Sequence, residues 1–476
     1  MARTLPNGHD TEWMPLPDAI RRQEPTHPAP GASGDEDPLT EDSAALQFVA
    51  LYRDRLRYCH GAGSWYEWDG SLWRQHRTRL AFQFARELAR QLSRGRSIKT
   101  CCIAQSTKFA TGVERFASCD PALAATADWW DSDPMLLGTP AGTVDLRTGL
   151  LRPGNPADGI TKATAIAPAD GDDCPLWHRF LEEVTGGDQA MIRFLQQWAG
   201  YALTGLTHEH ALVFIFGPGR NGKSVLLNVL TGILGSYAVT AAMDTFTAAG
   251  SGKHTTDLAI LKGARLVTSS ETEEGQAWAE SRIKQMTGGD PITARFMRRD
   301  PFTFLPQFKL TITGNYQPVL RNVGEATRRR FNIIPFTRTP EAPDQHLEEK
   351  LRAEWPGILR WMIEGCLDWQ QNGLVRPQSV QEASNEYFSE QDVLGQWLAE
   401  ECEVDPSKSY MQETTSALYQ AWSTYAQRSG ETPGSKRAFT DRLKQRGLVP
   451  FRHSFARGFQ GIRLRSPYPN KMTDDA

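Results

Sequence analysis

The chain has 476 residues, of which 39% are hydrophobic and 23% charged, so it carries enough apolar material for substantial cores and is not wholly disordered. Lys and Arg total 53 against 56 Asp and Glu, for a formal net charge of -3. That balance excludes a uniformly basic histone-like protein but leaves room for a local basic surface. The seven cysteines include no CxxC pair, which argues against a disulfide framework or a four-cysteine zinc site. The polar N-terminus lacks a signal-like apolar stretch, and no apolar run approaches the ~20 residues of a membrane span. A cytoplasmic protein without a membrane partner is expected.

Residues 1–45 read as a disordered acidic tail, with seven prolines, nine Asp or Glu and three Arg. Residues 46–195 read as a mainly helical accessory domain. Helical spacing starts at LQFVALYRDRLRY, and WYEWDGSLW follows as an aromatic hairpin turning at Asp69-Gly70. LAFQFARELARQLSRG is a second helix, and GTVDLRTGLLRPGNPAD reads as small β elements. Helical spacing resumes from Trp177 in two segments divided by Gly186-Gly187.

Residues 196–345 change to α/β organisation. ALVFIF, ARLVTSS, FKLTITGN and FNIIPF are strand candidates with helical runs between them. Residues 346–395 form a helical extension. Residues 396–476 read as helices followed by a basic two-stranded wing, a winged-helix-like module.

Gly217-Pro218-Gly219-Arg220-Asn221-Gly222-Lys223-Ser224 matches GxxxxGKS in full, between a strand and an apolar helix. Such a loop turns backbone N–H groups toward phosphate oxygens, and the helix N-terminus adds partial positive charge. Lys223 then reaches the β/γ-phosphates and Ser224 ligates Mg²⁺, so ATP and Mg²⁺ are the expected cofactors. Glu271 stands at the end of the strand ARLVTSS as the candidate metal and water-polarising carboxylate, with Glu273 second. Asn315 ends the next strand and suits a γ-phosphate or water contact. Of Arg328-Arg329-Arg330, Arg329 is the first choice for an arginine presented to a neighbouring subunit, and Arg330 the second.

Residues 282–338 hold eleven Lys or Arg and three acids. TGGDPITARFMRRDPFTF reads as two strands with Arg298-Arg299 at the tip, a phosphate-backbone candidate together with Lys284 and Arg295. Residues 436–465 hold nine Lys or Arg and one acid, and Lys436, Arg437, Arg442 and Lys444 lie on a helix suited to DNA. Ordinary solvated surfaces are the alternative for both regions.

In these segments the chain resembles the phage and plasmid primase/helicase proteins of the P4 type, related to the poxvirus D5 protein. GPGRNGKS, RLVTSSETEEG, IKQMTGGDPITARF, TGN at 313–315 and RRRFNIIPF resemble, in that order, the ATPase block of a superfamily 3 helicase. WYEWDGSLW, GTVDLRTG and WAGYALTG are similar to the family's upstream region, so the likeness spans about residues 46–465. The resemblance implies a multidomain α/β fold with a P-loop AAA+-like superfamily 3 core. It also implies a hexameric ring that moves 3′ to 5′ on single-stranded and forked DNA. Lys223 and Ser224 are then the Walker A pair, Glu271 the Walker B carboxylate, Asn315 the sensor, and Arg329 or Arg330 the intersubunit finger. Lys284 and Gly288-Gly289-Asp290 fall in the family's motif before the DNA-binding hairpin.

The sequence departs from the family pattern where Thr272 separates Glu271 from Glu273, so the metal carboxylate is open between them. Nothing before Leu46 resembles a primase-polymerase domain, so a separate primase is the expected partner. An ATP-dependent origin-binding or loading protein, or a nucleotide-switched interaction ATPase, would use the same motifs without strand displacement.

Overall fold

The computed structural model describes residues 38–248, 256–270, 276–298, 300–320, 324–340, 343–453 and 456–465. Most of the expected N-terminal tail, Glu271, Glu273 and Arg299 lie outside the described residues. The chain divides into two compact units: residues up to Phe48 with Phe82–Ala117, and Val49–Ala81 with Ser118–Ala476.

The smaller unit is helical. It takes in the start of α1 (Glu41–Tyr52), most of α2 (Leu80–Leu92), and α3 (Ile98–Ala104) and α4 (Thr107–Cys119). Helix α1 begins five residues before the apolar spacing marks it. Thr40 and Ser43 exchange backbone-to-hydroxyl hydrogen bonds at 3.0 and 3.1 Å, and Glu41 and Asp42 sit in the positively polarised first turn. Phe48, Phe84, Leu88, Phe109 and Val113 are buried in this unit.

The larger unit opens with more β structure than local periodicity suggests. Strands β1 (Leu56–Cys59), β2 (Ser64–Trp68), β3 (Trp73–Gln75) and β4 (Ala124–Ala125) form one sheet in the order β3-β2-β1-β4. The aromatic hairpin is present, with Trp68 opposite Trp73. The Asp69 carboxylate closes its turn by accepting from the Ser71 and Leu72 N–H groups. Tyr58, expected to continue a helix, instead pairs in parallel with Ala124. Such a long-range pairing leaves no trace in local spacing. Strands β5 (Leu136–Thr139), β6 (Gly142–Asp145) and β7 (Leu150–Arg152) form an antiparallel meander.

Helices α5 (Pro175–Thr185) and α6 (Gln189–Leu203) then lead into the central sheet. Its strands are β8 (Leu212–Phe216), β9 (Ala238–Thr240), β10 (Leu266–Ser269), β13 (Lys309–Gly314) and β14 (Phe331–Pro335). They run parallel in the order β14-β8-β13-β10-β9. Helix α7 (Lys223–Leu234) follows β8, and α8 (Glu280–Gly288) precedes a hairpin of β11 (Ile292–Ala294) and β12 (Phe302–Phe304). All four strands expected from sequence lie in this sheet. Edge strand β9, only three residues long, was not marked by the sequence.

Both faces of the sheet are covered. Val213 and Ile215 of β8 join a core with α6, α7 and α9 (Trp355–Asn372). Leu212 and Phe214 join a second core with α8 and α10 (Gln378–Gln391). Double coverage explains why these strands are continuous apolar runs rather than alternating ones. Helices α6 and α9 meet backbone to backbone: a Cβ on Gly200 would collide with the Cys366 N and Met362 carbonyl, and one on Gly365 with the Gln196 carbonyl.

The C-terminal segment runs α11 (Val393–Glu401), β15 (Cys402–Val404), β16 (Gln412–Thr414), α12 (Thr415–Arg428), α13 (Lys436–Gln445), β17 (Val449–Arg452), β18 (Arg457–Gln460) and β19 (Ile462–Leu464). Its core contains Trp397, Trp422, Phe439 and Leu443. Among the described residues no helix is long and apolar enough to cross a membrane.

Gly200→Ala should lower stability by about 1–3 kcal/mol, because the new methyl must push α6 and α9 apart. The urea midpoint should fall; an unchanged midpoint would mean that the helices separate without loss.

Candidate nucleotide site

The loop after β8 is shaped by contacts a side chain would break. A Cβ on Gly217 would overlap the Phe336 carbonyl just beyond β14. Gly222 has φ 84°, and a Cβ there would approach Val184 at 2.7 Å and Phe180 at 2.8 Å, both on α5. Arg220 holds a positive φ of 64° without being glycine, an uncommon conformation for a long side chain.

Asn221 is buried. Its amide donates to the Phe336 carbonyl, and its Oδ1 accepts from Lys223 Nζ at 2.9 Å. Lys223 Nζ also donates to the carbonyls of Gly217 at 2.7 Å and Pro218 at 3.2 Å. Burial lowers the Lys223 ammonium below its ordinary value. Sequence reading placed Asn221 simply among the phosphate-binding positions. The structure adds that it ties the lysine to the end of β14.

Helix α7 starts at Lys223, and its N-cap residue, Gly222, has no side chain with which to cap it. Its first-turn residues Lys223, Ser224 and Val225 line a cavity of about 560 Å³ together with Gly219, Arg220, Asn221 and Gly222. Ser270, Thr313, Gly314 and Asn315 complete the lining. Uncapped N–H groups, an ammonium and an exposed hydroxyl around one cavity suit a polyphosphate with its metal. Asn315 therefore shares a cavity with the loop, although 91 positions separate it from Ser224 in the chain. Glu271 lies outside the described residues, and its predecessor Ser270 lines the cavity. Ser270 was not singled out from sequence, its only signal being adjacency to Glu271, and Thr313 entered only as part of the TGN motif at 313–315.

The three arginines before β14 have different surroundings. Arg328 lies over the Phe388 ring at 5.1 Å. Arg330 donates to the Thr287 hydroxyl at 3.3 Å and the Ala326 carbonyl at 2.6 Å. The Arg329 side chain is 72% exposed and, among the described residues, makes only a 3.9 Å approach to exposed Glu325. All three precede β14, whereas Phe336 at its other end touches the loop. A five-residue strand separates the two ends by roughly 17 Å.

The basic hairpin forms as expected, with Ile292 opposite Phe304. Arg295 and Arg298 are exposed at its tip, beside Phe296 at 42% and Met297 at 77% exposure. Phe296 stacks on Phe302 with centroids 5.2 Å apart, so the tip is apolar as well as basic. Lys284 is half-buried on α8.

On α13, Lys436, Arg437 and Lys444 are exposed. Lys436 donates to the Ser416 hydroxyl at 2.7 Å, and Lys444 lies 3.6 Å from Asp441. Arg442 differs: its guanidinium covers the Trp422 ring at 5.5 Å, and burial lowers its pKa. Packing therefore accounts for Arg442 without a ligand.

Two family profiles match the chain: D5 N terminal like, over residues 45–186, and a family of unknown function, DUF5906, over residues 215–330. The chain is 28% identical over 295 residues to "Putative helicase L207/L206" of Acanthamoeba polyphaga mimivirus, covering 57% of this chain and 31% of the relative. It is 26% identical over 261 residues to "Putative helicase 022R" of Frog virus 3, covering 50% and 27%. The chain thus spans about a third or less of the length of these relatives. The apo C-terminal region of NrS-1 shares the fold, with a TM-score of 0.51 at 10% identity over 89% of this chain and all of that one. These matches and the site's order along the chain agree: residues 45–186 match the D5 N terminal like family, and the chain is similar to viral proteins named as helicases, the group its motifs resemble.

Proposed function

We propose that the chain is an ATP-driven DNA helicase that acts as a ring. One observation carries this reading: the candidate phosphate cavity and Arg329 lie at opposite ends of the same parallel sheet. An arginine there cannot serve its own cavity, but it is exposed for a neighbour's. A site completed in trans makes assembly part of catalysis.

Bound ATP–Mg²⁺ supplies the phosphoanhydride whose hydrolysis drives the cycle. Lys223 leaves its loop carbonyls for the phosphate oxygens, while Asn221 keeps the loop attached to β14. Ser224 offers its hydroxyl to the metal, and Glu271 is the proposed second ligand and water-polarising base. Asn315 orients the water or the terminal phosphate. Arg329 of one subunit stabilises charge developing in the next. The hairpin bearing Arg295 and Arg298, with Lys284 at its base, holds the strand backbone. Lys436, Arg437 and Lys444 face DNA from a winged-helix-like module. Six subunits, movement 3′ to 5′ and a partner primase rest on the family resemblance.

Lys223→Ala should abolish ATP turnover. Arg329→Ala should retain nucleotide binding but lose about 10³-fold in kcat. Mixing the two variants should restore part of the activity, because some interfaces then combine an intact loop with an intact arginine. Wild-type turnover by Arg329→Ala, or turnover per subunit independent of protein concentration, would sink the trans arrangement.

Arg298→Ala should weaken single-strand binding and reduce its salt slope by about 0.7. Arg442→Ala should instead lower the melting temperature and leave that slope unchanged. Anisotropy titrations and thermal melts read the two effects separately, and the reverse pattern would exchange the roles of the two arginines.

A further inference from the structure

We infer that the smaller, helical unit carries a third nucleic-acid contact, a stripe of arginines on α2 that engages the phosphodiester backbone. Arg86, Arg90 and Arg94 recur every four residues, so they project from one face at about 6 Å intervals along the helix and its immediate continuation. All three are exposed. Among the described residues none of them is paired with a carboxylate. Arg86 reaches only the Gln83 side-chain oxygen, at 3.3 Å. Glu87, the one acid between 86 and 99, accepts from Gln83 Nε2 at 2.6 Å instead.

The stripe continues around the corner into α3. Cys101 Sγ donates to the Ser93 carbonyl at 3.0 Å, which pins the start of α3 against the end of α2. Arg96 and Lys99 lie on that corner, so five cations fall between 86 and 99 against the single Glu87.

Like charges at i,i+4 oppose helix formation. Arg90 and Arg94 gain some return from the negative end of the α2 dipole, but Arg86 lies more than one turn from that end and gains little. Repeated repulsion among Arg86, Arg90 and Arg94, with no carboxylate partner among the described residues, is explained by an external polyanion with regularly spaced charge. The contact would add affinity and orientation without reading sequence. It involves none of the residues assigned above to nucleotide or hairpin.

The test uses the full chain with Arg86, Arg90 and Arg94 all changed to Gln, a residue of similar helix propensity. Fluorescein-labelled oligothymidine and a matched duplex are titrated across a salt series without nucleotide, so the result is separate from the helicase reading. The slope of log K against log salt should fall by about 2 on the single strand, or by somewhat more on the duplex, depending on which form the stripe holds. The corresponding triple Arg→Lys variant should keep the wild-type slope, which a purely structural role for the guanidinium groups would not. The melting temperature of the Gln variant should not fall, since repulsion is relieved. Unchanged slopes on both probes would overturn the proposal. So would failure of the Lys variant to preserve the slope, or equal competition for the stripe by phosphatidylserine vesicles.

Discussion

The parallel direction of β8, β10, β13 and β14 is the constraint on which the candidate site depends. It brings the loop after β8, Ser270 after β10 and Asn315 after β13 to one edge, where open α/β sheets bind ligands. The same direction sends the residues before β14 to the opposite edge. Proximity in sequence to the strand that anchors the loop thus places Arg329 far from its own cavity. The proposal of a site completed by a neighbour rests on this geometry of one sheet.

That edge is held by buried polar contacts. Asn221 joins the lysine to the Phe336 carbonyl, and Phe180 and Val184 of α5 stand behind Gly222. Helix α5 is fixed in turn through α6. Trp198 of α6 donates to Thr311 of β13 at 2.8 Å, and Gln197 donates to Asp368 of α9 at 2.8 Å. At the far end of α6, two buried cations meet its terminal carbonyls. Arg265 donates to the carbonyls of Leu203 and Leu136, and Lys309 to those of Thr204 and Leu206. Burial, with the neighbouring guanidinium of Arg265, pushes the Lys309 ammonium well below its ordinary value. Buried charges are costly, and the negative end of a helix dipole partly offsets that cost. These contacts place the accessory helices on the strand starts and so set the wall behind the phosphate loop.

The hairpins and the main core strands were legible in the sequence because their signals are local. Asp69-Gly70 marks a turn, and the apolar runs of β8, β10, β13 and β14 mark strands buried on both faces. Strand β9 was not legible, since three residues carry too little pattern. The β1–β4 pair was missed for another reason: its partners are brought together only by the intervening helices. Among the arginines, Arg328, Arg329, Arg330 and Arg442 are chemically identical in sequence. Phe388, Thr287 and Trp422 distinguish them only after folding.

The sequence by itself determined the phosphate loop, the order of the strand-end candidates and the basic hairpin, because each depends on residues close together in the chain. Tertiary structure decided that Asn315 shares the loop's cavity, that Asn221 ties the loop to β14, and that Arg329 is the arginine left in solvent. Those outcomes depend on strand order and on side chains more than 20 positions away, and neither is encoded in any local spacing.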